Sequence, residues 1–326
     1  MSKRKELLFI AILVVFSLGW LAHTQYIRVY GGMEAVQVRE DSSRYQFINP
    51  LIYVDNSSIV FEELTPLKYE LEDFISTQVA ENKIDQASVY FRNLNSGHWT
   101  GVDEDEKYVP ASIFKVPTVM MYLKLAEDNP GIVEQKSFYK RNPNERQNYP
   151  PTEQLMDGWY PVNQLIWRSL VESDNAANIA LAAPKENELA QLLKTLRLPI
   201  LPKTGEEDFV SPREVSIIFR SLYSSTYLLD SYSEQLLALL TQTTFNKGLT
   251  QGVSPSVKVA HKFGEHTVYY TDPSKTPDYE LHDCGIIYYP KKPYLLCVMT
   301  KGKKLGYLEG TIGQLSTITF SFMSGR

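Results

Sequence analysis

The sequence predicts a two-part α/β (α+β) fold: an antiparallel sheet of about five strands with flanking helices, and an all-helical subdomain inserted at about 111–249. Two observations support this prediction. Runs of alternating apolar and polar residues rich in β-branched and aromatic types occur early and late in the folded part. The residues between those two groups have helical periodicity. This split arrangement indicates one sheet that both ends of the chain complete.

The predicted strands form an early pair and a late group. The early pair is joined by the turn Asn95-Ser96-Gly97, and the last two strands are joined by a turn at 290–293. The predicted strands are Ala87–Leu94, His98–Asp103, Val257–Gly264, His266–Thr271, Cys284–Tyr289 and Tyr294–Thr300.

Helices are predicted before, between and after the strands. Ser211 begins one of them with a strong start signal, because a capping serine is followed by Pro212 and, three residues on, by Glu214. The predicted helices are Pro66–Asn82, Ile113–Glu127, Val162–Glu172, Ala176–Ala183, Glu186–Arg197, Ser211–Tyr227, Tyr232–Thr243 and Gly310–Phe322.

The first 23 residues differ from the rest of the chain. Lys3-Arg4-Lys5 precedes an almost wholly apolar run from Leu7 to Ala22, which predicts a membrane anchor with its basic tip in the cytoplasm. Residues 24–60 are expected to form a stalk, with partial order around Tyr45–Val54, and residues 61–326 the folded domain outside the membrane. A cleaved signal peptide is the alternative, but no small-x-small cleavage site follows the run. A buried core helix is disfavoured because no face of the run is polar.

Composition narrows the remaining possibilities. A formal net charge of −5 provides no basic surface of the kind that binds nucleic acid, so a nucleic-acid partner is not expected. The two cysteines, Cys284 and Cys297, are too few for a disulfide framework. Folding about 290–293 would place Cys284 opposite Met299, so that the thiols sit diagonally, and we expect both to be free and buried.

Ser112-Ile-Phe-Lys115 is the first of three motifs that point to a catalytic site. Ser112 lies where a helix begins, in the positive field of the helix N-terminus, and Lys115 lies one turn later on the same face. Desolvation in this apolar helix would lower the pKa of the lysine, so that its amine could take the serine proton. Ser-x-x-Lys alone is weak evidence, because it also occurs at Ser2–Lys5 and Ser137–Lys140.

Two further motifs follow in order. Ser173-Asp174-Asn175 lies between two predicted helices, where a capping role is also expected for it. Lys262-Phe263-Gly264 ends an alternating strand-like run. A literal Lys-Thr-Gly at 203–205 lies in a proline-broken loop without strand character, so we assign the third motif to Lys262.

The ordered set resembles class A β-lactamases and the penicillin-binding D-alanyl-D-alanine peptidases, both bacterial families, over roughly residues 62–326. The resemblance implies a serine acyl-transfer enzyme without a metal or organic cofactor. Its substrate would be a β-lactam or a peptidoglycan peptide that ends in D-alanyl-D-alanine. The resemblance implies that Ser112 is the nucleophile, Lys115 the general base and Ser173 the proton relay. It implies substrate contacts for Asn175 and for Lys262 of the Lys262–Gly264 motif. The backbone N–H groups of Ser112 and Glu265 would form the oxyanion hole.

Two departures from the family pattern affect the expected chemistry. Phe263 stands where the families have a threonine or serine whose hydroxyl binds the substrate carboxylate, although His261 or His266 could assist Lys262. The Glu-x-x-Leu-Asn motif, whose glutamate drives water onto the acyl-enzyme, occurs nowhere in the chain. Glu206, Glu207 and Asp208 are the nearest acidic residues, and we interpret them as a solvated loop. The resemblance therefore implies acylation with slow deacylation.

Other functional classes have weaker support. No Gly-x-Ser-x-Gly elbow supports a Ser-His-Asp hydrolase, and no His-Glu-x-x-His supports a metalloenzyme. The pair His261 and His266 is expected on either side of a strand bend. The main alternative is a membrane-tethered cell-wall binding or sensor module that keeps the penicillin-recognising fold without catalysis.

Overall fold

The computed structural model describes residues 37–39, 45–54, 61–142, 147–199, 210–270, 272, 274 and 276–325. The predicted anchor at 1–23 lies outside these ranges. So does the predicted stalk, apart from 37–39 and 45–54. Residues 203–208, which hold the literal Lys-Thr-Gly and the three acidic residues, also lie outside them. Within the described ranges, no helix combines the length and the apolar character that a bilayer crossing requires.

A five-stranded antiparallel sheet is the centre of the fold, as predicted, and the two ends of the domain complete it. The strand order is β4-β3-β9-β8-β7, so the last strands of the chain lie beside the first pair. The sheet strands are β3 (Gln86–Asn93), β4 (Trp99–Val102), β7 (Val259–Val268), β8 (Asp278–Ile287) and β9 (Tyr294–Gly302); two small hairpins are β1 (Gln37–Arg39) with β2 (Leu51–Val54), and β5 (Lys136–Tyr139) with β6 (Gly158–Pro161).

The predicted division at Gly264 is wrong, because β7 is one continuous strand. Its pairing with β8 continues without interruption through Gly264↔His282 and Glu265↔Leu281. The glycine serves close packing instead: a Cβ atom at this position would lie 2.6 Å from the carbonyl oxygen of Pro110. His261 and His266 consequently lie five positions apart on one strand and project from opposite faces.

The helices agree with the prediction to within a few residues at their ends. The capping box is present, with Ser211 Oγ accepting from the Glu214 N–H at 3.3 Å and Glu214 accepting from the Ser211 N–H at 2.8 Å. The helices are α1 (Thr65–Ala80), α2 (Lys115–Asp128), α3 (Val162–Val171), α4 (Asn175–Ala182), α5 (Glu186–Thr195), α6 (Pro212–Tyr223), α7 (Asp230–Leu240) and α8 (Leu305–Ser324). The hairpin β5–β6 within the helical insert was not predicted.

Apolar side chains cover both faces of the sheet. Alternate residues of the central strands, such as Ile286 and Leu295, join the core under the helical subdomain. Their neighbours, such as Ile287 and Leu296, join a second core with α1 and α8. The sheet is therefore a buried layer between the helical insert and the terminal helices, which fixes the strand edge where the third motif lies.

Cys284 and Cys297 form a disulfide, which corrects the prediction of free thiols. The two residues are directly paired in the β8–β9 register, with Cα atoms 4.0 Å apart. The prediction placed the centre of the turn too far along the chain. The strands separate after Ile287 and meet again at Tyr294, so the connection includes Tyr288 and Tyr289 and the register shifts by two residues. With the shifted register, Cys284 and Cys297 face each other across the two strands and do not lie diagonally.

Part of the predicted stalk packs against the helical subdomain. Phe47 and Ile48 are buried in the core, and the carboxylate of Glu234 on α7 accepts hydrogen bonds from the backbone N–H groups of Gln46, Phe47 and Ile48 at 2.8–3.0 Å. Tyr45 Oη donates to Asp230 at 2.9 Å. The order expected around Tyr45–Val54 therefore comes from contacts with the folded domain.

The disulfide predicts a measurable stabilisation. Replacing both Cys284 and Cys297 by alanine should lower the free energy of unfolding by about 3 kcal/mol, because the unfolded chain regains the freedom that the closed loop removed. Chemical denaturation of the oxidised protein and of the double variant would measure the difference. The reduced wild-type protein should match the variant, and thiol titration of the unreduced, denatured protein should find no free thiol. Two titratable thiols would restore the original prediction.

Candidate active site

The turn that carries Ser112 is held by the sheet. Ser112 lies in a single 3₁₀ turn, Ala111–Phe114, directly before α2, and Ala111 has a positive φ of 48°. Both backbone groups of Val109 bind β8: its N–H donates to Glu280 at 3.1 Å, and its carbonyl accepts from His282 Nε2 at 3.0 Å. These contacts fix the chain three residues before Ser112.

The carboxylate of Glu280 is kept charged although it is buried. Burial raises its pKa, but the hydrogen bond from His282, the charge of Lys301 and the Val109 N–H together lower the pKa below its ordinary value. The Thr300 N–H donates to His282 Nδ1, which leaves Nε2 as the protonated nitrogen. A charged acceptor and an oriented donor therefore hold the peptide groups on both sides of Val109.

Lys115 is the first residue of α2 and is almost fully buried. Its Nζ donates to Asn175 Oδ1 at 2.6 Å, to the Ser173 carbonyl at 2.5 Å and to Ser173 Oγ at 3.3 Å. The structure thus brings the first two motifs together, across 58 residues of sequence.

The Ser-Asp-Asn segment is a sharp turn between α3 and α4. Ser173 has a φ of 56°, an uncommon left-handed conformation for a residue with a side chain. Asp174 stabilises this turn in two ways: it caps α4 by accepting from the Ala177 N–H at 3.3 Å, and it accepts from Arg168 Nε at 2.7 Å. The expected capping role of the motif is therefore confirmed alongside its place in the site.

Lys262 reaches the same serine from the sheet. Its Nζ donates to Ser173 Oγ at 2.7 Å and to the Phe263 carbonyl at 3.0 Å, and the side chain is fully buried. Burial and, next, the charge of Lys115 lower the pKa of Lys262 well below its ordinary value, against smaller opposing effects of Asp283 and Glu265. Two buried amines therefore converge on one hydroxyl group.

Phe263 turns its ring away from the candidate site into the second core. The ring stacks on Phe245 with 4.1 Å between centroids, and Tyr149 packs edge-on against both rings. Lys262 Nζ lies 4.1 Å from the centroid of the Phe263 ring. The aromatic cluster accounts for the phenylalanine structurally, and the ammonium group of Lys262 rests on it.

A cavity of about 760 Å³ opens beside these residues. Four of the seven predicted site residues line it: Ser112, Lys115, Asn175 and Glu265. Ser173 and Lys262 are fully buried behind its wall, and Gly264 packs against Pro110 and Ile113. The seven residues form one site, but only part of them faces the cavity.

Sequence reasoning missed two polar residues at the mouth of the cavity. Gln147 Nε2 donates to the Ser173 carbonyl at 2.9 Å, and its Oε1 accepts from the Asn175 N–H at 3.2 Å. The Asn148 N–H donates to Glu265 at 2.7 Å, and Asn148 Nδ2 donates to the same carboxylate and, at 3.0 Å, to Thr267. Neither residue belongs to a periodic pattern, so no sequence signal marks them.

Two histidines of the sheet, His261 and His282, serve the fold, whereas His266 lines the cavity. His261 Nδ1 pairs with the buried carboxylate of Asp283 at 2.8 Å, and Asp283 also accepts from the Leu249 N–H at 2.9 Å. His282, which the sequence analysis left without a role, orients Val109. The sequence did contain a signal for these contacts with Val109. Glu280 and His282 lie two positions apart on a buried strand, where charged and polar residues need partners.

The search for similar proteins identified a fold shared with several solved structures. The structure of PBP-A is 21% identical and covers 81% of this chain and 97% of its own, with a TM-score of 0.67. The TLA-3 extended-spectrum β-lactamase is 17% identical and covers 78% of this chain and 99% of its own, with a TM-score of 0.68. A β-lactamase from Chitinophaga pinensis DSM 2588 is 17% identical and covers 79% and 99%, with a TM-score of 0.66. A search of curated proteins found no match.

The family comparison agrees with the geometry and with the predicted extent of the resemblance. The model of the β-lactamase enzyme family matches residues 68–323, a span that holds all three motifs and most of the chain. The chain therefore belongs to the β-lactamase enzyme family.

Proposed function

We propose that this protein is a membrane-anchored active-site-serine enzyme that forms an acyl-enzyme with β-lactams or with D-alanyl-D-alanine-type peptides and deacylates slowly. One observation carries the proposal: Lys115 and Lys262 both donate to Ser173 Oγ, at 3.3 and 2.7 Å, behind a cavity that Ser112 and Lys115 line. A solved PBP-A variant, similar in fold, is an acyl-enzyme complex with penicillin G.

In the proposed acylation, each proton follows a defined path. Ser112 Oγ attacks the carbonyl carbon while its proton passes to the uncharged amine of Lys115. The backbone N–H groups of Ser112 and Glu265 stabilise the negative charge on the carbonyl oxygen. As the C–N bond breaks, Ser173 gives its proton to the leaving nitrogen and regains one from the lysines that contact it. Asn175 lines the cavity and holds the acyl part of the substrate.

Slow deacylation is inferred from the missing Glu-x-x-Leu-Asn motif and from the part of the cavity lining that the structure describes. The chain has no Glu-x-x-Leu-Asn motif. Among the lining residues that the structure describes, Glu265 is the one carboxylate, and Asn148 binds it through two N–H groups. These hydrogen bonds hold the Glu265 carboxylate against Asn148 and not toward a water at Ser112, so we infer that the ester at Ser112 persists.

The proposed location is outside the bacterial cytoplasmic membrane. The basic tip and apolar run at 1–23 support a single anchor with the catalytic domain on the far side. The Cys284–Cys297 disulfide supports the same side of the membrane, since disulfides persist in oxidising compartments. There the enzyme would meet peptidoglycan or incoming β-lactam.

A non-catalytic cell-wall binding or sensor module is the second candidate. It is favoured by one observation, the loss of a substrate-binding hydroxyl at Phe263, whose ring is buried in the second core. A binding module would hold the same ligands without forming a covalent bond, so covalent labelling separates the two candidates.

The first prediction concerns the nucleophile. Ser112→Ala should reduce covalent labelling by a fluorescent penicillin by at least about a thousandfold, because Ser112 is the one serine among the described residues that line the cavity. Ser137→Ala is the matched control: it removes the serine of another Ser-x-x-Lys and should label normally. Full labelling of Ser112→Ala would show that the nucleophile is misassigned, and no labelling of the wild-type protein would favour the binding module.

The second prediction concerns the fate of the acyl-enzyme. Intact-protein mass spectrometry after exposure to benzylpenicillin should show a lasting adduct of the full penicilloyl mass, with turnover far below the ~10 s⁻¹ that is typical of enzymes. A class A β-lactamase treated in parallel should return to its free mass. Rapid hydrolysis of benzylpenicillin or nitrocefin by this protein would contradict slow deacylation.

A further inference from the structure

The cavity wall next to the proposed oxyanion hole carries a negative charge. Glu265, whose backbone N–H is one donor of that hole, also places its side chain among the residues that line the cavity. The carboxylate accepts from the Asn148 N–H at 2.7 Å and from Asn148 Nδ2. Two carboxylate oxygens offer about four acceptor sites, so these bonds leave room for a ligand donor.

The two lysines that could balance a substrate carboxylate are both engaged by other residues of the protein. Lys262 is fully buried, and its Nζ donates to Ser173 Oγ and to the Phe263 carbonyl while it rests on the Phe263 ring. Of the lining residues within the described ranges, Lys115 is the sole lysine or arginine, and it contacts Ser173 and Asn175.

Phe263 removes one route to carboxylate binding at this strand. Its ring is fixed between Phe245 and Tyr149 in the second core, at 2% exposure. The position therefore offers the cavity no hydroxyl donor. Donors such as His266 and Thr267 also line the cavity, but Glu265 adds to this strand an acceptor that repels an anion.

We propose that this site selects acyl substrates whose group beside the scissile bond is neutral or positively charged, such as an amide or an ammonium group, and that Glu265 is the residue that sets this preference. The inference rests on the proposed acylation of Ser112. It assigns the substrate class through charge: a ligand ammonium or amide N–H donates to Glu265, whereas a free carboxylate is repelled by it.

Three ligands that differ only in one group test the preference: benzylpenicillin with its free carboxylate, its primary carboxamide, and its 2-aminoethyl amide. The rate of adduct formation on intact protein is measured for each by mass spectrometry, with Ser112→Ala as the blank for non-specific acylation. The aminoethyl amide should react at least about tenfold faster than the carboxylate, since an opposite charge replaces a like charge near Glu265.

Glu265→Gln should reduce that ratio by about tenfold while the backbone N–H remains in place, and Glu265→Lys should reverse the preference. Glu70→Gln, an exposed residue of α1, is the matched control with the same change in net charge and should leave the ratio unchanged. Raising the salt concentration should speed reaction of the carboxylate ligand with the wild-type protein, because screening weakens repulsion. A merely structural role of Glu265 would not produce this salt effect.

The outcomes distinguish a failure of the charge preference from a failure of the proposed function. If none of the three ligands acylates Ser112, the proposed function fails. If all three acylate it but the carboxylate reacts fastest, or if Glu265→Gln leaves the ratio of rates unchanged, the function stands and the charge preference is wrong.

Discussion

The hydroxyl group of Ser173 is the point on which the site depends, because two buried lysines reach it from different parts of the fold. Lys115 belongs to the helical insert and Lys262 to the sheet, and their Nζ atoms lie 3.3 and 2.7 Å from Ser173 Oγ. Two ammonium groups cannot be held so close in a dry interior at little cost. The lowered pKa of Lys262, which its burial and next the charge of Lys115 produce, is one consequence.

Lys115 and Lys262 can both reach Ser173 only if the helical insert and the sheet are placed accurately. The left-handed turn at Ser173 is held by Asp174 and Arg168, and the Ser112 turn is held through Val109 by Glu280 and His282. Gly264 lets the strand edge approach the turn before α2 closely enough for Lys262 to reach its partner. Buried polar groups whose hydrogen bonds are all made specify a single arrangement, which fits a site that must be formed before substrate arrives.

The sequence predicted the motifs, the sheet with both chain ends in it and all eight α-helices that the structure describes, because alternation and capping are local signals. It failed where the answer depends on the approach of distant segments. The register of β8 and β9 depends on where the connecting loop begins, and an error of two residues turned a disulfide between Cys284 and Cys297 into two free thiols. Gly264 had the sequence signature of a strand break, yet its role is to let Pro110 pack closely. Gln147 left no signal, since its partners lie in another segment.

The cavity keeps the acyl-transfer residues of its family and changes the residues around them. The side chain of Phe263 packs in the second core, and the side chain of Glu265 places a carboxylate in the cavity wall. Lys262 is therefore interpreted as acting through Ser173 and not as a direct clamp on the substrate. Under the proposed function, acylation therefore depends on the contact of Lys115 and Lys262 with Ser173 more than on the net charge of the pocket.

A double-mutant cycle on the rate of acylation tests this contact most directly. Ser173→Ala and Lys262→Met are compared singly and together by rates of adduct formation, with unfolding temperatures as a check on folding. If Lys262 works through the Ser173 hydroxyl, the double variant will be no slower than the slower single variant. If the two losses multiply in the double variant, the lysine acts on the substrate independently and the account is contradicted.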